Sequence, residues 1–220
     1  SKRWTPWSDV SMRAHRHRAS LLDPLDLPEL PVPWTGRIAY LDRDGVINIG
    51  KETYVNDVSE VEMLRGAGQA IGQLRRAGFR IVICTNQSPI GRGWWDHETL
   101  AKIHDYIQEK LLEEDEDACL DLILYSPYSP WSGAHARKGN PGMLEAGRQL
   151  IEAAESGLLL DDESFIDAEA YESSDFDETS SVMVGDRSVD MEAADAFGVR
   201  GIQVDGAFGV ASAIDSILMG

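Results

Sequence analysis

The sequence is poor in cysteine and lacks any long apolar run. Its two cysteines are too few for a disulfide framework or for a cysteine-based zinc site. No apolar run is long enough to span a bilayer. No short apolar segment follows a basic stretch near the N-terminus, as it would in a signal peptide. These absences lead us to predict a cytoplasmic protein that does not enter the membrane.

Basic side chains are scarce as well, because 20 Lys and Arg face 38 Asp and Glu, which gives a formal net charge of −18. Such a surface repels nucleic acid and anionic membranes, so neither is expected as a partner. A phosphorylated ligand would also be repelled unless its site supplies positive charge locally. As a hypothesis, the acidity reflects a salt-rich cytoplasm, where carboxylate-heavy surfaces keep proteins soluble.

Residues 1–36 differ in composition from the rest of the chain. They begin with several Lys and Arg, and a proline-rich stretch over 24–33 follows, which favours extended backbone. We predict an arm and linker over 1–36 and a single domain over 37–220. Two roles for the arm stay open: it lies across the acidic domain, or it binds a partner or a second copy of the chain.

From residue 37 onward, short apolar runs alternate with longer amphipathic stretches. The apolar runs predict strands over 37–42, 79–85, 121–125, 181–185 and 201–204. The amphipathic stretches predict helices over 66–77, 96–114, 141–155, 189–197 and 210–218. This alternation predicts an α/β fold, a three-layer α/β/α Rossmann-like parallel sheet covered on both faces. The acidic residues 155–180 predict a solvated loop, because their spacing does not fit a calcium site.

Charged and hydroxyl side chains follow the predicted strands at their carboxyl ends. Ligands of an open parallel sheet bind beyond those ends, so these side chains are expected to share one rim. The rim carries three carboxylates, one hydroxyl and two cations: Asp42, Asp44, Thr85, Arg137, Lys138 and Asp186.

This set suits the hydrolysis of a phosphate ester. A carboxylate can attack phosphorus to form an aspartyl-phosphate, and a second carboxylic acid can protonate the leaving alkoxide and then accept a proton from water. Magnesium held by two carboxylates would remove the repulsion between the two anions, while a hydroxyl and a lysine stabilise the phosphoryl oxygens. Asp44 lies two residues after Asp42, which returns its side chain to the same side, and Gly45 lets the chain turn sharply.

These motifs resemble the haloacid dehalogenase (HAD) superfamily over roughly residues 37–206. The matching residues are Asp42-Arg43-Asp44-Gly45, Thr85, Lys138 and Gly185-Asp186-Arg187-Ser188-Val189-Asp190. The resemblance implies that Asp42 is the nucleophile and Asp44 the general acid and base. It implies Mg²⁺ on Asp42, Asp186 and the backbone carbonyl of Asp44. It further implies that Thr85 and Lys138 hold the phosphoryl group and that Asp190 supports Lys138 or the metal shell.

A closer resemblance is to the histidinol-phosphatase and heptose-bisphosphate-phosphatase family, which has no large cap domain. The matching residues are 41–48, 54–55, 85–88, 91–93, 137–138 and 141–143. The resemblance implies that the substrate contacts Asn86, Gln87, Ser88 and Arg137. It implies a small phosphorylated metabolite as substrate, and we favour a heptose or related sugar bisphosphate, with histidinol phosphate as the alternative.

The chain departs from this family where most members carry a zinc loop. Residues 126–136 have Ser, Tyr and Ala in place of the Cys and His ligands, and His135 alone cannot make a four-ligand site. We therefore predict no structural zinc and expect Tyr128 and Trp131 to hold the loop by packing. Two further histidines, His97 and His104, fall on a polar helical stretch and are predicted to lie at the surface.

Two other functions stay open on the sequence. One is a binding or regulatory module that keeps the HAD-like fold without catalysis and works through its arm and its acidic loop. The other is a phosphotransferase, which would pass phosphate to a sugar in preference to water. The catalytic set argues against the first, because each motif follows a predicted strand or loop in the family's order.

Overall fold

A six-stranded sheet forms the centre of the structure, a computed structural model that describes residues 12–220. Its strands are β1 (His15–Arg16), β2 (Ile38–Leu41), β3 (Arg80–Asn86), β4 (Leu122–Ser126), β5 (Val182–Gly185) and β6 (Arg200–Gln203). Their order across the sheet is β1-β4-β3-β2-β5-β6. Strands β2 to β6 are parallel to their neighbours, whereas β1 runs antiparallel to β4.

Seven helices surround the sheet over the described residues. They are α1 (Ala67–Arg76), α2 (Ser88–Gly91), α3 (His97–Glu114), α4 (Gly142–Glu155), α5 (Glu169–Glu172), α6 (Ser188–Phe197) and α7 (Ile214–Met219), with 3-10 helices at Val58–Glu60 and Gly209–Ala213. Helix α3 begins after Asp96, whose carboxylate accepts a hydrogen bond from the Thr99 amide at 2.9 Å. Helix α6 ends at Gly198, whose φ of 83° suits the left-handed C-cap.

Two apolar cores lie on opposite faces of the sheet, because successive strand residues point to opposite sides. On β2, Ala39 and Leu41 pack with helices α1, α3 and α7, whereas Ile38 and Tyr40 pack with α4 and α6. All four of these residues are fully buried, as expected for a parallel strand covered on both faces. The predicted three-layer α/β/α architecture is therefore confirmed.

The chain between β2 and β3 is short and holds no separate cap domain. It contains a tight turn, the 3-10 helix Val58–Glu60 and helix α1, which all pack on the same domain. The carboxyl ends of the central strands are consequently open to one side. The helices described over residues 12–220 include none that combines the length and apolar character needed to cross a bilayer.

The described part of the arm, residues 12–36, packs on its own domain. Its strand β1 pairs with β4, and Arg13 forms ion pairs of 2.7 Å with both Asp162 and Asp167. Arg18 pairs with Asp105 at 2.6 Å. The arm residues before Met12, including the basic Lys2 and Arg3, lie outside the described residues.

The acidic segment 155–180 is only in part the solvated loop that the sequence predicts. Glu178 is 7% exposed and accepts hydrogen bonds from Tyr40 Oη at 2.8 Å and Arg148 Nη2 at 2.9 Å. This buried ion pair holds the acidic segment against the core that contains Ile38 and Tyr40. A run of acidic letters cannot show which carboxylate meets a buried cation from another element.

Candidate active site

The predicted rim residues meet in a cavity of about 540 Å³ at the carboxyl ends of β2, β3 and β5. Its walls include Asp42, Asp44, Thr85, Asn86, Arg137, Lys138, Asp186 and Asp190. The Asp42 amide continues the β2 ladder by donating to the Val184 carbonyl at 2.9 Å. The sheet itself therefore fixes the point at which the Asp42 side chain enters the cavity.

Lys138 joins two carboxylates that come from different elements. Its Nζ lies 2.7 Å from Asp42 Oδ1 and 2.7 Å from Asp190 Oδ1. The other oxygen of Asp190 accepts a hydrogen bond from the Arg187 amide at 3.1 Å, which caps the start of α6. Gly185 permits this approach, because a Cβ there would lie 2.2 Å from the Asp190 Cβ.

The pKa values of these groups follow from burial and mutual attraction. Burial raises the pKa of Asp42, and the ammonium of Lys138 opposes that rise. Burial alone would lower the pKa of Lys138, but Asp42 and Asp190 raise it instead. Lys138 is therefore charged at any physiological pH, and its ammonium lies against the Asp42 carboxyl group.

Asp186 completes a group that could hold a metal ion. Ligand oxygens of Asp42, Asp186 and Asp190 all lie within 4.8 Å of one another. Three carboxylates share one ammonium, so a divalent cation would balance the remaining charge. Asp186 Oδ1 is buried without a hydrogen-bond partner, and oxygen ligands are those that Mg²⁺ prefers. The donor set therefore fits magnesium.

Glycine makes room for Asp186 on the facing turn. Gly45 has a φ of +79°, and a Cβ there would lie 2.2 Å from Asp186 Oδ2. The turn after β2 can therefore close over this carboxylate only because residue 45 has no side chain.

Asp44 is held by its neighbours on one side only. Its Oδ1 accepts hydrogen bonds from Arg43 Nη2 at 2.9 Å and Asn48 Nδ2 at 2.8 Å, while Oδ2 has a single long contact of 3.4 Å with Gln87 Nε2. Burial alone would raise the pKa of Asp44, but the charge of Arg43 and these hydrogen bonds lower it. The charge of Arg43 and these hydrogen bonds therefore favour the ionised form of Asp44.

The four predicted substrate contacts divide into two pairs. Asn86 and Arg137 line the cavity, whereas Gln87 and Ser88 are fully buried and do not. Gln87 Nε2 donates to Thr85 Oγ1 at 2.9 Å, and Ser88 Oγ lies 2.9 Å from Tyr54 Oη. Gln87 and Ser88 therefore support side chains of the cavity wall from behind.

The loop that carries Arg137 is anchored by Tyr128. Its hydroxyl donates to the Arg13 carbonyl at 2.6 Å, and its carbonyl accepts from Arg137 Nη1 at 2.9 Å. The expected packing role of Trp131 is wrong, because 76% of that residue is exposed. Its indole instead faces the guanidinium of Arg92 at 5.2 Å.

Two features of the site were missed on the sequence. Tyr54 lines the cavity, and its φ of +64° is unusual for a residue with a side chain. His104 was predicted at the surface but is 2% exposed, with Nε2 3.1 Å from Arg43 Nη1. The polar letters around His104 concealed the fact that its helical face turns toward the sheet.

A second cavity of about 560 Å³ lies between α4, α6 and residues 168–179. Its described walls contain carboxylates such as Glu145 and Asp177 and aromatic rings such as Phe176, but neither Lys nor Arg. Anionic phosphate would be repelled there, so the cavity with Lys138 and Arg137 is the candidate phosphate site.

The chain is similar in sequence to several known proteins. A family model described as HAD-hydrolase-like matches residues 135–215. D-glycero-beta-D-manno-heptose-1,7-bisphosphate 7-phosphatase of Pseudomonas aeruginosa is 35% identical over 130 residues, which cover 59% of this chain and 72% of that protein. The enzyme of the same name from Escherichia coli is 32% identical over 167 residues, which cover 73% of this chain and 74% of that protein.

A solved structure also shares the fold. The crystal structure of D,D-heptose 1,7-bisphosphate phosphatase from B. bronchiseptica, complexed with magnesium and phosphate, superposes with a TM-score of 0.60 at 26% identity. The match covers 83% of this chain and 98% of that one.

Proposed function

We propose that this chain hydrolyses a phosphate ester of a small sugar bisphosphate. The chain belongs to the HAD-like phosphatase family, which contains the D-glycero-beta-D-manno-heptose-1,7-bisphosphate 7-phosphatases. The observation that carries the proposal is the convergence of Asp42, Lys138, Asp186 and Asp190 at one end of the sheet. The proposed nucleophile, the cation and the proposed metal ligands therefore lie next to one another.

The reaction begins with Asp42. Its carboxylate oxygen attacks phosphorus, the bond from phosphorus to the leaving oxygen breaks, and the proton on Asp44 passes to that oxygen. An anionic phosphoryl group next to Asp44 disfavours its ionised form, so substrate binding offsets the lowered pKa and favours uptake of this proton. The products are the dephosphorylated sugar and an acyl phosphate on Asp42.

Water then removes the phosphoryl group. Asp44, now ionised, accepts a proton from the water that attacks phosphorus, and the bond between phosphorus and Asp42 breaks. Inorganic phosphate leaves, and Asp44 regains the proton needed for the next turnover. Lys138 and Thr85 line the same cavity and would hold the phosphoryl oxygens during both steps.

Asp42, Asp186 and the backbone carbonyl of Asp44 would hold Mg²⁺, with Asp190 supporting Lys138 beside it. When bound, the ion would neutralise charge between the carboxylate and the phosphoryl group. The described metal-capable group consists of carboxylates alone, which supports magnesium. The prediction that the loop over 126–136 needs no structural zinc remains a proposal.

The choice of substrate rests on relatives and on charge. The relatives act, by name, on a heptose 1,7-bisphosphate. The cavity of about 540 Å³ can enclose a sugar, and Lys51 and Arg137 add positive charge beyond Lys138. These cations supply local positive charge on a protein whose net charge is −18. Asn86 and Arg137 are the proposed contacts to the sugar, and Gln87 and Ser88 hold the wall behind them.

A phosphate-release screen tests the proposal. The panel contains heptose 1,7-bisphosphate, a hexose bisphosphate, histidinol phosphate and p-nitrophenyl phosphate, each with magnesium and with a chelator. We expect turnover of the heptose ester that the chelator abolishes and magnesium alone restores. Asp42→Asn should lower kcat about a thousandfold or more, whereas Asp175→Asn, an exposed carboxylate in the acidic segment, should not.

Three results would contradict the proposal. Unchanged turnover in Asp42→Asn would remove the nucleophile from the scheme. Activity that returns only with zinc would reject the metal assignment. Transfer of phosphate to an added sugar in preference to water would make the protein a phosphotransferase.

A further inference from the structure

Arg43 lies buried directly beneath the candidate active site. Only 1% of the residue is exposed. Its Nε and Nη2 donate to Asp44 Oδ1 at 3.3 and 2.9 Å, and its Nη1 lies 3.1 Å from His104 Nε2. Arg43 thus links His104 on helix α3 to Asp44.

The chemistry of this contact fixes the state of the His104 ring. A guanidinium offers only donors, so the short contact with Arg43 requires a lone pair on His104 Nε2. The ring must then be neutral, with its proton on Nδ1. Burial lowers the pKa of His104 well below its ordinary value, and the nearby charges of Arg43 and His17 lower it further, which agrees with that neutral state.

The same contacts decide which oxygen of Asp44 can exchange a proton. Oδ1 is occupied by Arg43 and by Asn48 Nδ2 at 2.8 Å. Oδ2 has only the long contact from Gln87 Nε2, 3.4 Å away. Since Asp44 lines the cavity, Oδ2 is the oxygen presented to a leaving group or a water molecule.

We propose that His104 is a positioning residue for Asp44, because it accepts from Arg43 and so keeps that guanidinium turned toward Asp44 Oδ1. The inference rests on the proposed phosphatase function, in which Asp44 moves the proton. Without an acceptor on α3, the buried Nη1 donor of Arg43 would be left unpaired. The guanidinium would then turn toward another acceptor and take the carboxylate out of line.

Such a displacement affects proton transfer more than binding. A small misplacement of a reacting group lowers the rate strongly, while contacts that hold the substrate are unchanged. Loss of the acceptor should therefore lower kcat and leave the binding of substrate nearly unchanged. The hydrolysis of the acyl phosphate needs Asp44 as a base, whereas an aryl leaving group of low pKa needs little help from an acid.

Pre-steady-state kinetics with p-nitrophenyl phosphate can separate these steps. In His104→Phe, which fills the site without an acceptor, we expect kcat to fall about tenfold or more. KM should fall with it and kcat/KM should stay within about twofold of wild type, because the slowed step follows formation of the phosphoenzyme. Formation of the phosphoenzyme should stay fast, giving a burst of one p-nitrophenolate per active site. Asp44→Asn sets the burst expected when the base is lost altogether.

Two variants serve as comparisons. His104→Gln offers an amide oxygen near the position of Nε2 and should restore kcat to within about threefold of wild type. His97→Phe makes the same change at an exposed position of α3 and should resemble wild type. If His104→Phe fails to fold, His104→Met provides a flexible apolar replacement for the same measurement.

The inference is overturned if His104→Phe keeps wild-type kcat without a burst, or if His104→Gln is as impaired as His104→Phe. The second result would show that ring packing, and not the acceptor, matters. A wild-type protein without turnover or burst would overturn the proposed function together with this inference. Wild-type turnover that is unaffected by the substitutions at His104 would overturn this inference alone.

Discussion

At the scale of single residues, the buried neutral ring of His104 has a consequence for stability as well as for catalysis. The unfolded chain binds a proton at this histidine near its ordinary pKa of 6.5, whereas the folded chain does not, because burial and Arg43 depress the pKa. A depressed folded-state pKa means that stability is present above the unfolded value and is lost as the pH falls below it.

We therefore predict a pH-dependent difference between wild type and His104→Gln. From pH 7.5 to 5.5, wild type should lose about 1.4 kcal/mol more of its free energy of unfolding than the variant. Urea denaturation at each pH measures both values. His17, which also faces His104, is present in both proteins. Equal losses in the two proteins would show that His104 does not carry this proton difference.

The sequence could predict the acidic centre of the site but not its supports. Asp42 and Asp186 follow strands, and parallel strands bring such residues to one rim. Arg43 is different, because alternation along a strand points it away from its two neighbours. Its partner His104 is 61 positions away in sequence, and no local pattern announces a pairing of that separation.

At the scale of elements, the turn after β2 determines how closely Asp186 can approach. Gly45 and Gly36 both have left-handed backbone, with φ of +79° and +85°. A Cβ at Gly45 would lie 2.2 Å from Asp186 Oδ2, whereas a Cβ at Gly36 has nothing within 4 Å. A substitution at Gly36 therefore introduces backbone strain alone, whereas the same substitution at Gly45 adds a steric clash with Asp186.

We predict different effects for the same substitution at these two turns. Gly45→Ala and Gly36→Ala should each lose about 1 kcal/mol of stability through left-handed strain. Only Gly45→Ala should move Asp186 and raise the magnesium concentration for half-maximal activity, by about tenfold or more. A magnesium titration of phosphate release checks this. Similar magnesium curves for the two variants would contradict the assignment of Asp186.

Element boundaries were predicted well where a strand or helix is apolar on the buried side. The predicted strand over 79–85 is observed as Arg80–Asn86, and the predicted helix over 96–114 as His97–Glu114. Strand β1 was not predicted, because two polar residues, His15 and Arg16, carry no apolar alternation. Its existence depends on the pairing edge of β4, which the sequence of β1 does not encode.

At the scale of the whole molecule, the net charge of −18 sets a general repulsion that folding must overcome. The ion pairs between the arm and the domain, such as Arg13 with Asp162 and Arg18 with Asp105, relieve a part of it. Such exposed pairs add little stability, because water and salt screen them. Screening of the remaining like charges should therefore outweigh any weakening of these pairs.

We predict that the melting temperature rises as KCl increases from about 0.05 to 1 M, where the Debye length falls to about 3 Å. Calorimetry or circular dichroism can follow the transition. Arg18→Ala should lose stability at low salt and approach wild type at high salt, because its pair with Asp105 is screened there. A flat or falling melting temperature for wild type would contradict the expected dominance of repulsion.

Strand β1 also changes what the molecule offers to its surroundings. An edge strand has unpaired backbone amides and carbonyls, so a strand of another chain can pair with it. Proteins commonly prevent this with short edge strands and charged side chains. Here β1 occupies the β4 border with His15 and Arg16. Of the strands in residues 12–220, β6 is the edge strand on the other side of the sheet. Unwanted strand addition during refolding should therefore occur at β6.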